Sequence, residues 1–299
     1  MKTFQTTLII ASFSFIFFSC KNEKEELKKT KIETTNPTGK NLNISILLDL
    51  SDRISPEKYP NSTMEFYQRD IGYINSIAET FTNHIKTKKI MQVNDRIQLY
   101  FEPEPLNPEI NSISDKLKFS FTKENISKEN LEKITERYLS ETHKIYELAI
   151  KDKNYIGSDT WKFFKNNIND YCINNGFRNI LVVLTDGYMY HADSKIKESN
   201  KTTYITPETI RNNLLINSNW AHIMKEKEIG FLKANDDLSD IEVLVLGINP
   251  NNKNPYEEDV IKTYWINWLT EMKVKKFEVK KAELPSNMDK VIKRFILNN

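Results

Sequence analysis

The chain has 299 residues, enough for one large domain or two small ones with a sizeable core. Hydrophobic residues make up 39% and charged residues 28%, a globular rather than a disordered balance. A formal net charge of +2 gives no electrostatic case for nucleic acid, and only seven glycines leave little material for phosphate-cradling loops.

The first segment stands apart. Lys2 precedes an apolar stretch from Leu8 to Phe18, followed by Ser19 and Cys20. A positive start, a short apolar segment and a small residue before a cut describe a secretory signal too short to span a bilayer. The order "FFSC" resembles the lipobox of bacterial lipoproteins, although Phe17 stands where such boxes usually have leucine. The resemblance implies that residues 1–19 are a removed signal peptide and that Cys20 is acylated. It further implies a lipoprotein held at a bacterial membrane and facing periplasm or cell surface. An ordinary signal peptide cut nearby is the alternative. Cleavage before Cys20 removes one lysine and leaves 42 basic against 41 acidic residues. Residues 20–40 lack an apolar period and read as a flexible tether of about 25 Å mean reach. The acidic cluster after the cysteine also resembles surface-export signals of some bacterial lipoproteins.

From Leu42 onward, strand-type and helix-period segments alternate. "ISILLDL" (44–50) is the near-continuous apolar run of a strand buried on both faces. Ser62 and Glu65 have capping-box spacing, and the helix they open carries Ile74, Ile77, Ala78, Phe81 and Ile85 in one stripe. "DRIQLYFE" (95–102) and "KLKFSF" (116–121) read as strands joined by the proline-broken "PEPLNPE", a rigid solvated turn. A long amphipathic helix follows within 126–150, through Leu131, Ile134, Tyr138, Leu139 and Ile145. After "YIGSDT" (155–160) comes a helix in which Trp161, Phe164, Ile168 and Cys172 recur at helical spacing. Cys172 thus reads as a small buried hydrophobe, without a disulfide partner once Cys20 is acylated.

"RNILVVLTDG" (178–187) is the second buried strand, followed by a polar loop from Tyr188 to Ile205. Thr206 and Pro207 open another helix as N-cap and first-turn residue. "DIEVLVLGI" (240–248) is the third buried strand; a helix, the strand-like "KKFEV" and a closing helix complete the chain. This alternation predicts an α/β fold, a doubly wound, Rossmann-like, mostly parallel sheet with helices on both faces. Residues 41–299 form it as one domain, with an insertion around 188–240.

In such sheets ligands bind beyond the carboxyl ends of the strands, where strand order reverses. The reversal would set the first strand beside the one ending "VVLTDG", so that Asp49 and Ser51 face Thr185 and Asp186, while the "GSDT" loop carrying Thr160 precedes a helix that can cover the same edge. Carboxylates and hydroxyls without His or Cys are hard oxygen donors, suited to Mg²⁺ or Mn²⁺. Here the residues carry a resemblance. "DLSDR" (49–53), Thr160 in "GSDT" and "LTDG" (184–187) resemble the three motif loops of the von Willebrand factor A (VWA) domain.

That resemblance implies a metal-ion-dependent adhesion site. Asp49 and Asp186 would act through waters, and Ser51 and Thr160 directly on the ion. A partner's acidic group would complete the shell. An ion held this way would raise the melting temperature relative to EDTA, and Asp186→Ala would remove the rise. The departure is Arg53, which replaces the family's second serine and cannot ligate a cation. Either it swings outward, leaving Asp52, Ser55 or water to fill the gap, or it displaces the metal and pairs with Asp49 or Asp186. For the two aspartates and Thr160, simple helix capping is the bland alternative.

Beside Asp186, the loop 188–205 offers Tyr188, Tyr190, His191 and Tyr204, residue types suited to protein contacts, or else a solvated insertion. The expected function is therefore a non-enzymatic, membrane-anchored module that binds a protein or another acidic ligand. A metal-free scaffold of the same fold is the second reading. An Asp49-dependent phosphatase is the third, but haloacid dehalogenase-type enzymes need a second aspartate where Ser51 stands. Nucleotide binding fails because "LSDRISPE" offers no glycine for a phosphate to approach. No Gly-x-Ser-x-Gly elbow exists for a serine hydrolase, and the four histidines show no zinc spacing.

Overall fold

A computed structural model of the chain describes residues 41–250 and 253–298. The signal peptide, Cys20 and the tether lie outside the described residues.

The chain opens with β1 (Asn41–Leu48), α1 (Phe66–Lys86), β2 (Asn94–Phe101), α2 (Pro108–Asp115), β3 (Phe119–Thr122) and α3 (Lys128–Asp152). A broken helical run follows, α4 (Thr160–Lys162), a π-helical turn Phe163–Asn167, and α5 (Ile168–Cys172). Then come β4 (Phe177–Leu184), β5 (Lys197–Glu198), β6 (Lys201–Thr202), α6 (Pro207–Asn212), α7 (Trp220–Glu226) and β7 (Gly230–Phe231). The last elements are β8 (Ile241–Ile248), α8 (Glu257–Glu271), β9 (Lys276–Lys281) and α9 (Pro285–Leu297).

Among the described residues six strands form one sheet in the order β3-β2-β1-β4-β8-β9. All neighbours are parallel except β3, which runs antiparallel to β2 at the edge. This is a doubly wound order, reversing between β1 and β4. The α/β class read from the alternation of elements is the observed one. Period-2 geometry explains how one strand serves two cores. Leu42, Ile44, Ile46 and Leu48 point to the layer covered by α1, α3 and α9, while Leu47 points to the layer of Trp161, Phe164 and α8. On that second face β1 also carries buried Asn43, whose amide donates to the Cys172 carbonyl at 2.8 Å and to Asn179 Oδ1 at 2.9 Å. Cys172 is fully buried and its thiol is pushed up to about 12 by burial, so it packs and does not react.

Several boundaries differ from the sequence expectation. Glu65, not Ser62, caps α1, accepting from the backbone of Gln68 while the Gln68 side chain closes the box. Leu139 sits at the margin of the α3 stripe and is 47% exposed. The proline-rich connection ends sooner than expected, because Pro108 suits a first helical turn and Asn107 caps α2 through Glu109 N at 2.9 Å. The segment 188–240 also holds a small sheet, β5-β6-β7, too short for any period to announce. Thr206 caps α6 as its sequence implies, accepting from Thr209 N at 3.1 Å.

Candidate functional site

The apolar run of β1 ends where β1 and β4 both reach the sheet's carboxyl edge. Asp49 N–H still donates to the Leu184 carbonyl at 3.0 Å, prolonging the ladder by one residue. The chain then turns back on its own carboxylate. Asp49 Oδ1 accepts from Ser51 N–H at 2.8 Å, a local turn that aspartate readily forms. Asp49 Oδ2 accepts from the Thr185 hydroxyl at 2.9 Å, joining the two strand ends directly. The Thr185 hydroxyl accepts in turn from Gly187 N–H at 3.1 Å. Gly187 has φ +96° and is walled in; a Cβ there would lie 2.5 Å from Ile261 Cγ2 and 2.7 Å from Ile248 Cδ1.

Arg53 does not swing outward. A short 3₁₀ turn, Asp52–Ile54, drives its side chain inward until only 4% of the residue is exposed. Its Nε donates to the Asp49 carbonyl at 3.0 Å, and Nη2 to the Leu184 carbonyl at 3.0 Å. Nη2 also donates to Asp70 Oδ2 at 2.6 Å, and the Tyr146 hydroxyl donates to that same oxygen at 2.9 Å. Asp49 Oδ2 lies 3.6 Å from Arg53 Nε. A planar guanidinium can bond two carbonyls and one carboxylate while lying beside a second carboxylate, a fixed geometry an ammonium does not offer. Burial works against the charge on Arg53, but Asp70 and then Asp49 outweigh it and bind the proton more firmly still. Burial pushes the Asp70 carboxyl up, with the guanidinium and the Tyr146 phenol offsetting part of that cost.

Asp70 is the member the sequence reading missed, although a signal existed. It occupies the position four residues before Ile74 and seven before Ile77, on the buried stripe of α1. A carboxylate at such a place requires a cation or strong donors.

Asp186 follows Thr185 and is half-buried, with Oδ1 accepting from Tyr188 N–H at 3.0 Å. Burial, with the nearby Asp49 charge second, pushes its carboxyl up to about 8; Arg53 offsets only part. Thr160 is buried at 2%, with its hydroxyl 3.3 Å from Ser158 Oγ; Asp159, not Thr160, caps α4. The strand ends therefore bring Asp49, Ser51, Arg53, Thr185 and Asp186 together, while Thr160 is buried and its hydroxyl contacts Ser158.

The donors at this edge bear directly on whether a divalent ion could bind there. Both oxygens of Asp49 are already engaged by Ser51 and Thr185, and a full positive charge lies 3.6 Å from one of them. An ion bound to that carboxylate would sit within about 6 Å of the guanidinium, a repulsion on the order of 5 kcal/mol at an effective dielectric near 20. As arranged here, the residues do not fit an ion directly held by Asp49. The water-mediated set fares no better, since Thr160, a direct ligand in that set, is 2% exposed with its hydroxyl 3.3 Å from Ser158 Oγ, and the guanidinium still flanks Asp49. Among the described residues, no three His, Cys, Asp or Glu side chains are grouped to hold a metal elsewhere.

Above these residues opens a cleft of about 750 Å³. Ser51, Arg53 and Asp186 reach its floor, and Tyr59, Tyr155, Tyr188 and Tyr190 line its walls. The Tyr188 hydroxyl donates to Glu257 Oε1 at 2.5 Å, fixing that ring against α8. His191 turns away from the cleft, its Nδ1 3.6 Å from Asp159 Oδ2. The loop after Asp186 is pinned to its neighbour by a backbone pair, Ser158 N–H to the Tyr190 carbonyl at 2.9 Å and Tyr190 N–H to the Ser158 carbonyl at 3.1 Å. Gly157 allows this approach. With φ +91°, a Cβ there would stand 2.3 Å from the Tyr190 carbonyl oxygen. Gly157→Ala is therefore expected to cost ~1–3 kcal/mol and to release the loop. Faster amide exchange at Ser158 and Tyr190, with the α1 core unchanged, would show it.

The fold and the cleft together define a doubly wound α/β domain with a recessed cleft at its strand reversal. No protein-family model and no curated protein matches the sequence. A crystal structure of an aerotolerance-related membrane protein from Bacteroides fragilis NCTC 9343, carrying multiple mutations to serines, aligns with a TM-score of 0.40 at 10% identity. The alignment covers 86% of this chain and 98% of that one.

Proposed function

We propose that the protein is a non-enzymatic, VWA-like binding module that engages a protein partner through the cleft, without a divalent cation. In this reading Arg53 takes the place that the resemblance assigns to the ion. It cross-links the β1 and β4 ends through Asp49 and Leu184 and ties them to α1 through Asp70. The single observation that carries the proposal is this buried guanidinium, bonded to the Asp49 and Leu184 carbonyls and to Asp70 and lying 3.6 Å from the Asp49 carboxylate that would otherwise help orient an ion. The tyrosines of the walls suit a partner's side chains, being large, rigid and tipped with a polar group. Chemistry has little footing here. Asp49 is enclosed by donors from Ser51 and Thr185 beside Arg53, and among the described residues the cleft lining holds no His or Cys.

Metal response separates the readings. Mg²⁺, Mn²⁺ and EDTA should leave the melting temperature of the native protein unchanged. Arg53→Ser, which restores Asp-x-Ser-x-Ser, should be less stable and should recover part of the loss with Mg²⁺. A rise of several degrees with Mg²⁺ in the unsubstituted protein, abolished by Asp186→Ala, would instead establish the metal-dependent site. Capture of partners from membranes should likewise be indifferent to EDTA. The membrane setting belongs to the same proposal and rests on the "FFSC" signature. Among the described residues no helix is long and apolar enough to cross a membrane.

A further inference from the structure

At the end of the sheet opposite the cleft, α1 runs into an exposed turn, "KTKKIMQ" (86–92). Its tip presents Ile90 at 63% exposure and Met91 at 74%, two adjacent apolar side chains held out into solvent. Three lysines flank them. Lys88 Nζ is clamped at 2.6 Å from buried Asp95 Oδ2 and 2.7 Å from Asn41 Oδ1. Lys86 and Lys89 have no acidic partner among the described residues. Asn41 is the first residue of β1, so the turn lies beside the point where the forty N-terminal residues join the domain.

We propose that this turn docks on the membrane surface, Ile90 and Met91 entering the headgroup region while Lys86 and Lys89 meet anionic lipid. Exposed apolar residues among lysines without acidic partners among the described residues match such a surface in both polarity and charge. The place where the chain enters supplies the second argument. An anchor at Cys20 would lie only about twenty residues along the chain from Asn41, and such tethering raises the effective concentration of even a weak contact. Docking at the amino ends of the strands would turn the cleft outward, about 25 Å further along the eight-residue strands. The inference rests on membrane attachment at Cys20.

The full chain, purified from membranes and reconstituted into phosphatidylglycerol-containing vesicles, provides the test. An environment-sensitive label on Met91→Cys is read against brominated lipid, the parent chain supplying the background from its own cysteines. Strong quenching at Met91, none for a label on Tyr59→Cys in the cleft wall, and loss of most of the Met91 quenching in Lys86→Glu/Lys89→Glu support docking. Chain that pellets with vesicles but shows no quenching at Met91 overturns docking alone and leaves the turn to a protein contact. Chain that stays in the supernatant overturns the anchor and the docking together.

Discussion

Replacing Arg53 with alanine is expected to lower the melting temperature by about 10 °C or more. The reason is the isolation of two carboxylates rather than the loss of one contact. Arg53 is 4% exposed, and its removal leaves Asp49 and Asp70, themselves 4% and 1% exposed, without their cation. Breaking a buried ion pair by deleting one partner costs about 3–5 kcal/mol, and each kcal/mol moves the midpoint of a domain this size by about 2–4 °C. Leu184 and Asp49 also lose a donor to their carbonyls. Lysine should rescue only in part, since one ammonium does not reproduce the guanidinium's fixed fork towards the Asp49 and Leu184 carbonyls and Asp70. The coupling can be read separately. In a double-mutant cycle, Asp70→Asn should be damaging with Arg53 in place and far less so in its absence. Additive effects would break the proposed network and with it the claim that Arg53 substitutes for an ion.

The second large effect has the opposite sign. Asp186→Asn should stabilise the protein at neutral pH while weakening partner capture. The folded carboxyl is raised to about 8, by burial first and by Asp49 second. Below the ordinary carboxylate range both folded and unfolded chains hold the proton, so the two proteins should melt alike near pH 3. As pH climbs towards 8, the unfolded chain has released its proton while the folded one retains it, and native stability falls. Asparagine keeps the acceptor for Tyr188 N–H without that penalty. Because Asp186 is half-buried and solvent screens part of the effect, the gain at pH 7 should be about 1–3 kcal/mol. Melting curves between pH 3 and 8 check it. Destabilisation at pH 7 would mean that Asp186 is ionised there and held by a cation.

These two residues also mark where local sequence stops specifying the site. The strands were legible because parallel strands buried on both faces require unbroken apolar runs. "ISILLDL", "RNILVVL" and "EVLVLGI" fit little else at that length. Alternation with helical stripes then dictated a doubly wound sheet, and the reversal point placed Asp49 beside Thr185, now 2.9 Å apart. Local chemistry sufficed for the Thr206 cap and the Pro207 first turn. It was insufficient at α2 and at the small sheet β5-β6-β7, where elements of two to eight residues carry too little periodicity to register.

By itself the sequence determined the fold class, the strand ends that form the cleft, and the presence there of one arginine too many for an ordinary cation site. Only the tertiary structure decided where that arginine points. The outcome depended on Asp70 and Tyr146, which lie 17 and 93 residues beyond Arg53 and reach it only once α1 and α3 pack on the same face of the sheet. A side chain's charge is written locally, but its partner is chosen by packing, because burial makes an unpaired charge too costly to tolerate and distance along the chain places no limit on which group supplies the match.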